Sequence, residues 1–144
     1  MNKKKIFNDP VYGFIRFPFD FLYDLIDHPY FQRLRRISQM GLSHYVYPGA
    51  LHTRFHHALG ALHLMTRAID NLRLKGIAIS DHEYEAVCCA ILLHDIGHGP
   101  FSHALEGKIV PVHHESLSLA YMEVLNTQFA GKLDLAIKIF KNEY

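Results

Sequence analysis

The sequence contains no tryptophan and only two cysteines, Cys88 and Cys89, which are chain neighbours. Adjacent cysteines in a helix-prone segment have a geometry that disfavours a bridge, and no third cysteine offers a partner, so a disulfide scaffold is excluded. The pair reads as small apolar core residues suited to a reducing compartment. Charge of one sign is also missing: 15 Lys and Arg face 14 Asp and Glu, which removes the whole-domain electrostatic case for binding long nucleic acid. Long hydrophobic runs are absent, the longest being the eight residues from Ala86 to Leu93, too few to cross a bilayer. Lys3-Lys4-Lys5 has no apolar segment behind it and so does not open a secretory signal. The expectation is a soluble cytoplasmic protein without a membrane partner.

What is abundant is histidine, with 12 residues. His56, His57, His94, His98, His103, His113 and His114 fall in segments that also carry Gly, Pro or Arg. A chain of 144 residues is the size of one domain, and by general scaling it buries roughly 70% of its unfolded surface.

Along the chain, Ile6-Phe7 and Phe14 to Phe17 flank Asn8-Asp9-Pro10 and Tyr12-Gly13, which predicts a short hairpin or extended arm. Beyond Phe19 the pattern is helical: Phe21, Leu22, Leu25 and Ile26, then Phe31, Leu34 and Ile37 on a helix opening near Pro29. Arg33, Arg35 and Arg36 read as its solvated face. A further helix opens near Arg54 and runs through Leu62, Leu64, Met65 and Ile69. Ser80-Asp81-His82-Glu83 is a capping-box match that starts a helix ending at His94-Asp95. Gly97, Gly99 and Pro100 break it, and the next helix starts near His114 and carries Leu117, Ala120, Tyr121 and Val124. Residues from Leu133 onward read as a last helix.

The chemistry concentrates at His94-Asp95. The apolar run before the doublet carries it into the interior, where an unpaired carboxylate is costly. Imidazole nitrogen and carboxylate oxygen are both good ligands for a divalent ion. A core histidine beside a capping aspartate explains a bare doublet equally simply. Arg54-Phe55-His56-His57 tips the balance toward a metal, because it brings a second buried-looking histidine at the start of another helix.

Taken in order, Lys5 to Gly13, Pro29 to Arg35, Tyr47 to Ala50, Arg54 to His57 and His94 to His103 resemble the HD-domain metal phosphohydrolases, nearest their deoxynucleotide triphosphohydrolase branch. The resemblance implies a mainly α fold, an HD-domain helical bundle with the short arm over residues 1–18 and the core over 19–144. It implies a divalent metal (Mn, Fe, Mg, Ni or Zn) held by His57, His94 and Asp95, with a fourth ligand, an aspartate, on a later helix. Asp134 is the only aspartate after Asp95 and lies too close to the doublet to match. The resemblance therefore implies that residues 1–144 form a single HD domain in the N-terminal part of a longer enzyme, and that this piece by itself is weakened or inactive.

By the same resemblance, the substrate is a deoxynucleoside triphosphate, hydrolysed to deoxynucleoside and tripolyphosphate. Arg54 matches a phosphate-contacting arginine and Gln39 a residue near the sugar. His98 and His114 match histidines beside the scissile phosphate, and Glu106 stands where an aspartate orients one of them. Helical spacing offers His98, four residues after His94, as an alternative further metal ligand, but Gly97 ends the helix between them and breaks that register. His56 stands where close relatives often carry glutamate. Lys5, Asp27, Gln32 and Arg35 match a guanine-nucleotide activator site at a subunit interface, which implies a homo-oligomer. Two other readings stay open: a phosphatase or phosphodiesterase for 5′-mononucleotides or cyclic nucleotides, and a non-catalytic nucleotide-sensing or oligomerisation module.

Overall fold

The computed structural model describes residues 5–144, so the first four residues of the expected arm lie outside the described residues. The arm is a two-stranded antiparallel hairpin, β1 (Phe7–Asp9) and β2 (Gly13–Ile15), in which Phe7 faces Ile15 and Asn8 faces Phe14. Its turn is built by Asp9, whose Oδ1 accepts the amide N–H groups of Val11 at 2.8 Å and Tyr12 at 2.9 Å. An aspartate that bonds forward to its own backbone in this way closes a tight turn without further support. Ile15 and Phe17 are buried, and the Phe17 N–H donates to the Tyr23 hydroxyl, so the arm is stitched onto the first helix.

That helix, α1 (Asp20–Asp27), buries Phe21, Leu22, Tyr23, Leu25 and Ile26. His28 is extended, as the residue before a proline tends to be, and α2 (Pro29–Gln32) follows. The helix expected to run on to Ile37 instead tightens into a 3-10 segment, Arg33–Arg36. Phe31, Leu34 and Ile37 are all buried at a spacing of three, which is the period of a 3-10 turn rather than of an α-helix. Arg33 is not part of a solvated face. It turns inward and is half-buried.

The core is organised on α3 (Arg54–Leu74) and α4 (Asp81–Leu93), which pack against each other, with α5 (His114–Gln128) and α6 (Asp134–Phe140) closing the bundle. The Ser80 capping box forms as expected: the Glu83 carboxylate accepts the Ser80 N–H at 2.7 Å and the Ser80 hydroxyl accepts the Glu83 N–H at 3.2 Å. Cys88 and Cys89 are free and buried, and burial pushes the Cys88 thiol up to about 12. Several apolar positions face outward, among them Leu64, Ala120 and Val124 from the expected helix faces. Leu64 borders a cavity beneath the hairpin, and Val124 is exposed because α5 instead buries Ser118, Met122 and Leu125. No helix among the described residues is long and apolar enough to cross a membrane.

Candidate active site

The packing of α3 on α4 brings the start of one helix to the end of the other. Thr53 opens α3, and the His56 Nδ1 accepts the Thr53 N–H at 3.2 Å. His56 thus performs the reciprocal capping that glutamate performs at this position. Next to it, His57 points at the α4 terminus, where its Nε2 lies 3.3 Å from His94 Nε2 and 3.6 Å from Asp95 Oδ2. His94 Nε2 is 3.5 Å from Asp95 Oδ1. The His94 Nδ1 donates to the Ile91 carbonyl at 2.7 Å, since a carbonyl can only accept, and this leaves Nε2 bare in the neutral ring.

These three donors fit a divalent ion. Bonds of roughly 2.1 Å to a tetrahedral centre put ligand atoms about 3.4 Å apart, against the 3.3 to 3.6 Å found here. Neutral histidines are required for ligation, and burial, then His94, lowers the His57 pKa. Burial works against the Asp95 carboxylate, but His94, Arg54, His98 and His57 outweigh it and hold its pKa below the usual value. Arg54 is 2% exposed, and its Nη1 donates to Asp95 Oδ2 at 2.6 Å. Asp134 stands apart, where its Oδ1 accepts from the Asn126 side chain at 2.6 Å.

A second cluster adjoins the first through Asp95, whose Oδ1 is 3.6 Å from His98 Nε2. After α4 the chain folds sharply, with the His98 N–H donating to the Asp95 carbonyl at 3.1 Å. Gly97 lies against the first turns of α5: a Cβ there would stand 2.3 Å from the His114 carbonyl oxygen and 2.3 Å from the Ser118 amide nitrogen. Its own N–H donates to the Ser118 hydroxyl at 2.9 Å. This contact sets His98 against His114, with rings stacked at 3.8 Å and 17°. Glu106 accepts from His114 Nδ1 at 2.7 Å and from the His114 N–H at 2.7 Å, while its other oxygen meets His103 Nδ1 at 2.7 Å. The His103 bond, against a smaller burial penalty, and the bonds from His114 draw the Glu106 pKa down to about 2. Burial, then Arg54, pushes His98 down to about 3.

The expected residues divide as follows. His57, His94 and Asp95 converge in one group of ligand atoms, while His98, Glu106 and His114 converge in the other. Gln39 is held next to α3 because its N–H donates to the His52 carbonyl at 3.1 Å. It lines a cavity of about 850 Å³ together with His103. The Gln39 Oε1 is buried without a hydrogen-bond partner among the described residues. Lys5 pairs with the Asp27 carboxylate, and Arg35 Nε donates to Gln32 Oε1 at 2.8 Å while lying 3.6 Å over the Phe55 ring. Gln32 in turn donates to the Ile26 carbonyl at 2.7 Å, so these four sit around the end of α1.

Three contributors carry no site role in the sequence alone: His103, Arg33 and Ser118. His103 carried a signal, its spacing of three from Glu106, which suits a pair on one turn. Arg33 donates to the His98 carbonyl at 2.8 Å and to the Ile96 carbonyl, and lies 5.1 Å over the Tyr121 ring. Neither it nor Ser118 bears any local mark of these long-range contacts.

Residues 54–139 match the family model described as HD domain. The chain belongs to the HD domain family. Its relatives include the deoxynucleoside triphosphate triphosphohydrolase SAMHD1 of Bos taurus, 44% identical over 110 residues, or 75% of this chain and 18% of that protein. The uncharacterized protein YwfO of Bacillus subtilis is 39% identical over 118 residues, 82% of this chain and 27% of that one. Among solved structures, the crystal structure of a phosphohydrolase from Bacteroides thetaiotaomicron superposes with a TM-score of 0.94 at 59% identity, covering 98% of this chain and 35% of that chain. This HD domain therefore spans well under half the length of these relatives. The hairpin-and-helices architecture expected for the family is the one observed, and the HD domain carries His and Asp groups that could hold a divalent metal.

Proposed function

We propose that this HD domain serves a metal-dependent nucleotide phosphohydrolase that cleaves deoxynucleoside triphosphates to deoxynucleoside and tripolyphosphate. The observation that carries the reading is the direct abutment of the His57, His94 and Asp95 group on the His98, His103, Glu106 and His114 group across the Asp95–His98 contact of 3.6 Å. A bound divalent metal would polarise a phosphoryl oxygen or supply a water of lowered pKa. Arg54 places a buried positive charge beside that group, where a phosphate oxygen would meet it. Glu106 accepts from His114 Nδ1, so His114 is held in one orientation with its other nitrogen available for proton exchange. His98 and His103 stand within one ring contact of it. The buried Gln39 oxygen is suited to accept from a sugar hydroxyl.

The chemistry of Lys5 on the arm and of Asp27, Gln32 and Arg35 around the end of α1 supports a guanine-nucleotide activator there. Asp27 can accept from a guanine edge and Arg35 can engage phosphate or stack on the base. A homo-oligomer in the cytoplasm belongs to the same reading. The alternative of a non-catalytic nucleotide-sensing module is favoured by the metal group having three protein donors among the described residues.

The test is to incubate the longer enzyme that carries this domain with the four deoxynucleoside triphosphates and manganese or magnesium, with and without GTP, and to separate the products by chromatography. The expected result is deoxynucleoside and tripolyphosphate, abolished by His94→Ala. Orthophosphate from 5′-mononucleotides supplied in a parallel incubation would favour the phosphatase reading. Nucleotide binding without turnover would favour the sensing module.

A further inference from the structure

We infer that His98, His103, Glu106 and His114 form a second metal site, suited to a borderline transition-metal dication of the Zn²⁺ type. One ligand atom from each of the four lies within 4.8 Å of all the others. Three imidazoles and one carboxylate are a donor set that zinc takes up readily in four-coordinate geometry. The set is assembled from three separate pieces of chain: the turn after α4, the short turn and loop that carry His103 and Glu106, and the first residue of α5.

An independent observation points the same way. His98 is 1% exposed, and its Nδ1 is sealed from solvent with no hydrogen-bond partner among the described residues. A buried ring nitrogen left unpaired is costly, and a ligated ion at the cluster would draw this ring into a bonded arrangement. The carboxylate is equally well placed. Its two oxygens each face an imidazole nitrogen at 2.7 Å, His103 on one side and His114 on the other. Tetrahedral ligation needs those separations to open to about 3.4 Å and the His98 and His114 rings, stacked at 3.8 Å, to turn until their in-plane lone pairs converge. His103 can supply that movement, because it is exposed on a short turn, and a cavity of about 240 Å³ borders His98, Glu106 and His114.

The two metal groups differ in their electrostatics. Asp95 in the first is paired with the buried Arg54, whereas Glu106 is paired only with histidines among the described residues. An ion in the second group ties up the lone pairs of His98, His103, His114 and Glu106, so proton exchange at these groups stops. On the hydrolytic reading above, occupancy of the second site is therefore an off state reached in excess transition metal, while occupancy of the first is required. The site itself stands on geometry and does not depend on turnover.

The test is a Co²⁺ titration of the metal-free protein, followed by visible absorption and by equilibrium dialysis. The unsubstituted protein is expected to bind two equivalents. His103→Ala and Glu106→Gln are expected to lose the second equivalent and its ligand-field bands while keeping the first. His57→Ala and Asp95→Asn are expected to lose the first and keep the second. Far-ultraviolet circular dichroism checks that each variant is folded, and His103→Ala changes an exposed side chain. Wild-type stoichiometry and spectrum in both His103→Ala and Glu106→Gln would overturn the proposal. So would a single equivalent in the unsubstituted protein that disappears in Asp95→Asn. Because the readout is metal stoichiometry, its failure is distinct from failure of the hydrolytic reading.

Discussion

His94 Nε2 faces His57 Nε2 at 3.3 Å, across 37 residues of sequence. The Ile91 carbonyl holds the proton of His94 on Nδ1, so the contact is made by a bare lone pair. In the absence of metal, His57 can donate to it. A divalent ion takes that place, and the neutral His57 ring then carries its one proton on Nδ1; net proton release accompanies metal uptake only at acid pH, where the histidines are protonated.

Metal binding is accordingly expected to stabilise the fold. At free manganese about a hundredfold above its dissociation constant, one site adds about 2.7 kcal/mol. Thermal melts with and without metal check this, and His94→Ala is expected to lose that increment.

Asp95→Asn removes the negative charge on which the buried Arg54 rests. Loss of one partner of a buried, well-aligned pair costs on the order of 3 kcal/mol, readable by urea unfolding of the metal-free protein. A cost below about 1 kcal/mol would mean that the pair contributes no more than a surface ion pair.

The metal-free protein is expected to lose stability as the solution is acidified. His98 binds its proton near pH 3 when folded and near 6.5 when unfolded, because burial, Arg54, His114 and His103 oppose the cation more than Asp95 favours it. Between these values the unfolded chain holds more protons, so stability is full above the upper value and falls toward the lower one. His57 shifts in the same direction. The Glu106 window lies lower, from 4.5 down to about 2. Urea unfolding at about pH 7 and about pH 5 therefore isolates the histidines, and His98→Gln is expected to narrow the difference.

Gly97→Ala would place a methyl group 2.3 Å from two backbone atoms of α5. No side-chain rotation relieves that overlap, so the expected loss is about 3 kcal/mol or the fold itself. Ser118→Ala, which only removes the acceptor of the Gly97 N–H, is expected to cost about 1 to 2 kcal/mol. Chemical denaturation compares the two.

His56→Glu is expected to keep the α3 cap and to gain about 0.5 kcal/mol from a negative charge in the first helical turn. His56→Ala is expected to lose about 1 kcal/mol. Urea midpoints of the two variants should fall on opposite sides of the unsubstituted protein.

Much of the architecture was legible in the order of residues, because hairpin, caps and helix starts are written in short-range chemistry. Asp9 closes its own turn, Ser80 and Glu83 cap their own helix, and Thr53 marks the residue where α3 begins. The family resemblance named His57, His94 and Asp95 together, and the fold brings their ligand atoms within reach of one another. Helical periodicity misled at Ile37, where three-residue spacing belonged to a 3-10 turn, and at Val124, where α5 is rotated to present Ser118 to Gly97.

Only the tertiary structure decided what those donors meet. The inward turn of Arg33 onto the Ile96 and His98 carbonyls, the union of His103 with Glu106 and His114, and the seating of Arg54 on Asp95 join residues up to 65 positions apart. Side-chain chemistry is a property of the residue and can be read from its letter. Orientation, burial and partner are properties of the packed interior, where the cost of an unpaired buried group selects the arrangement and no local pattern records it.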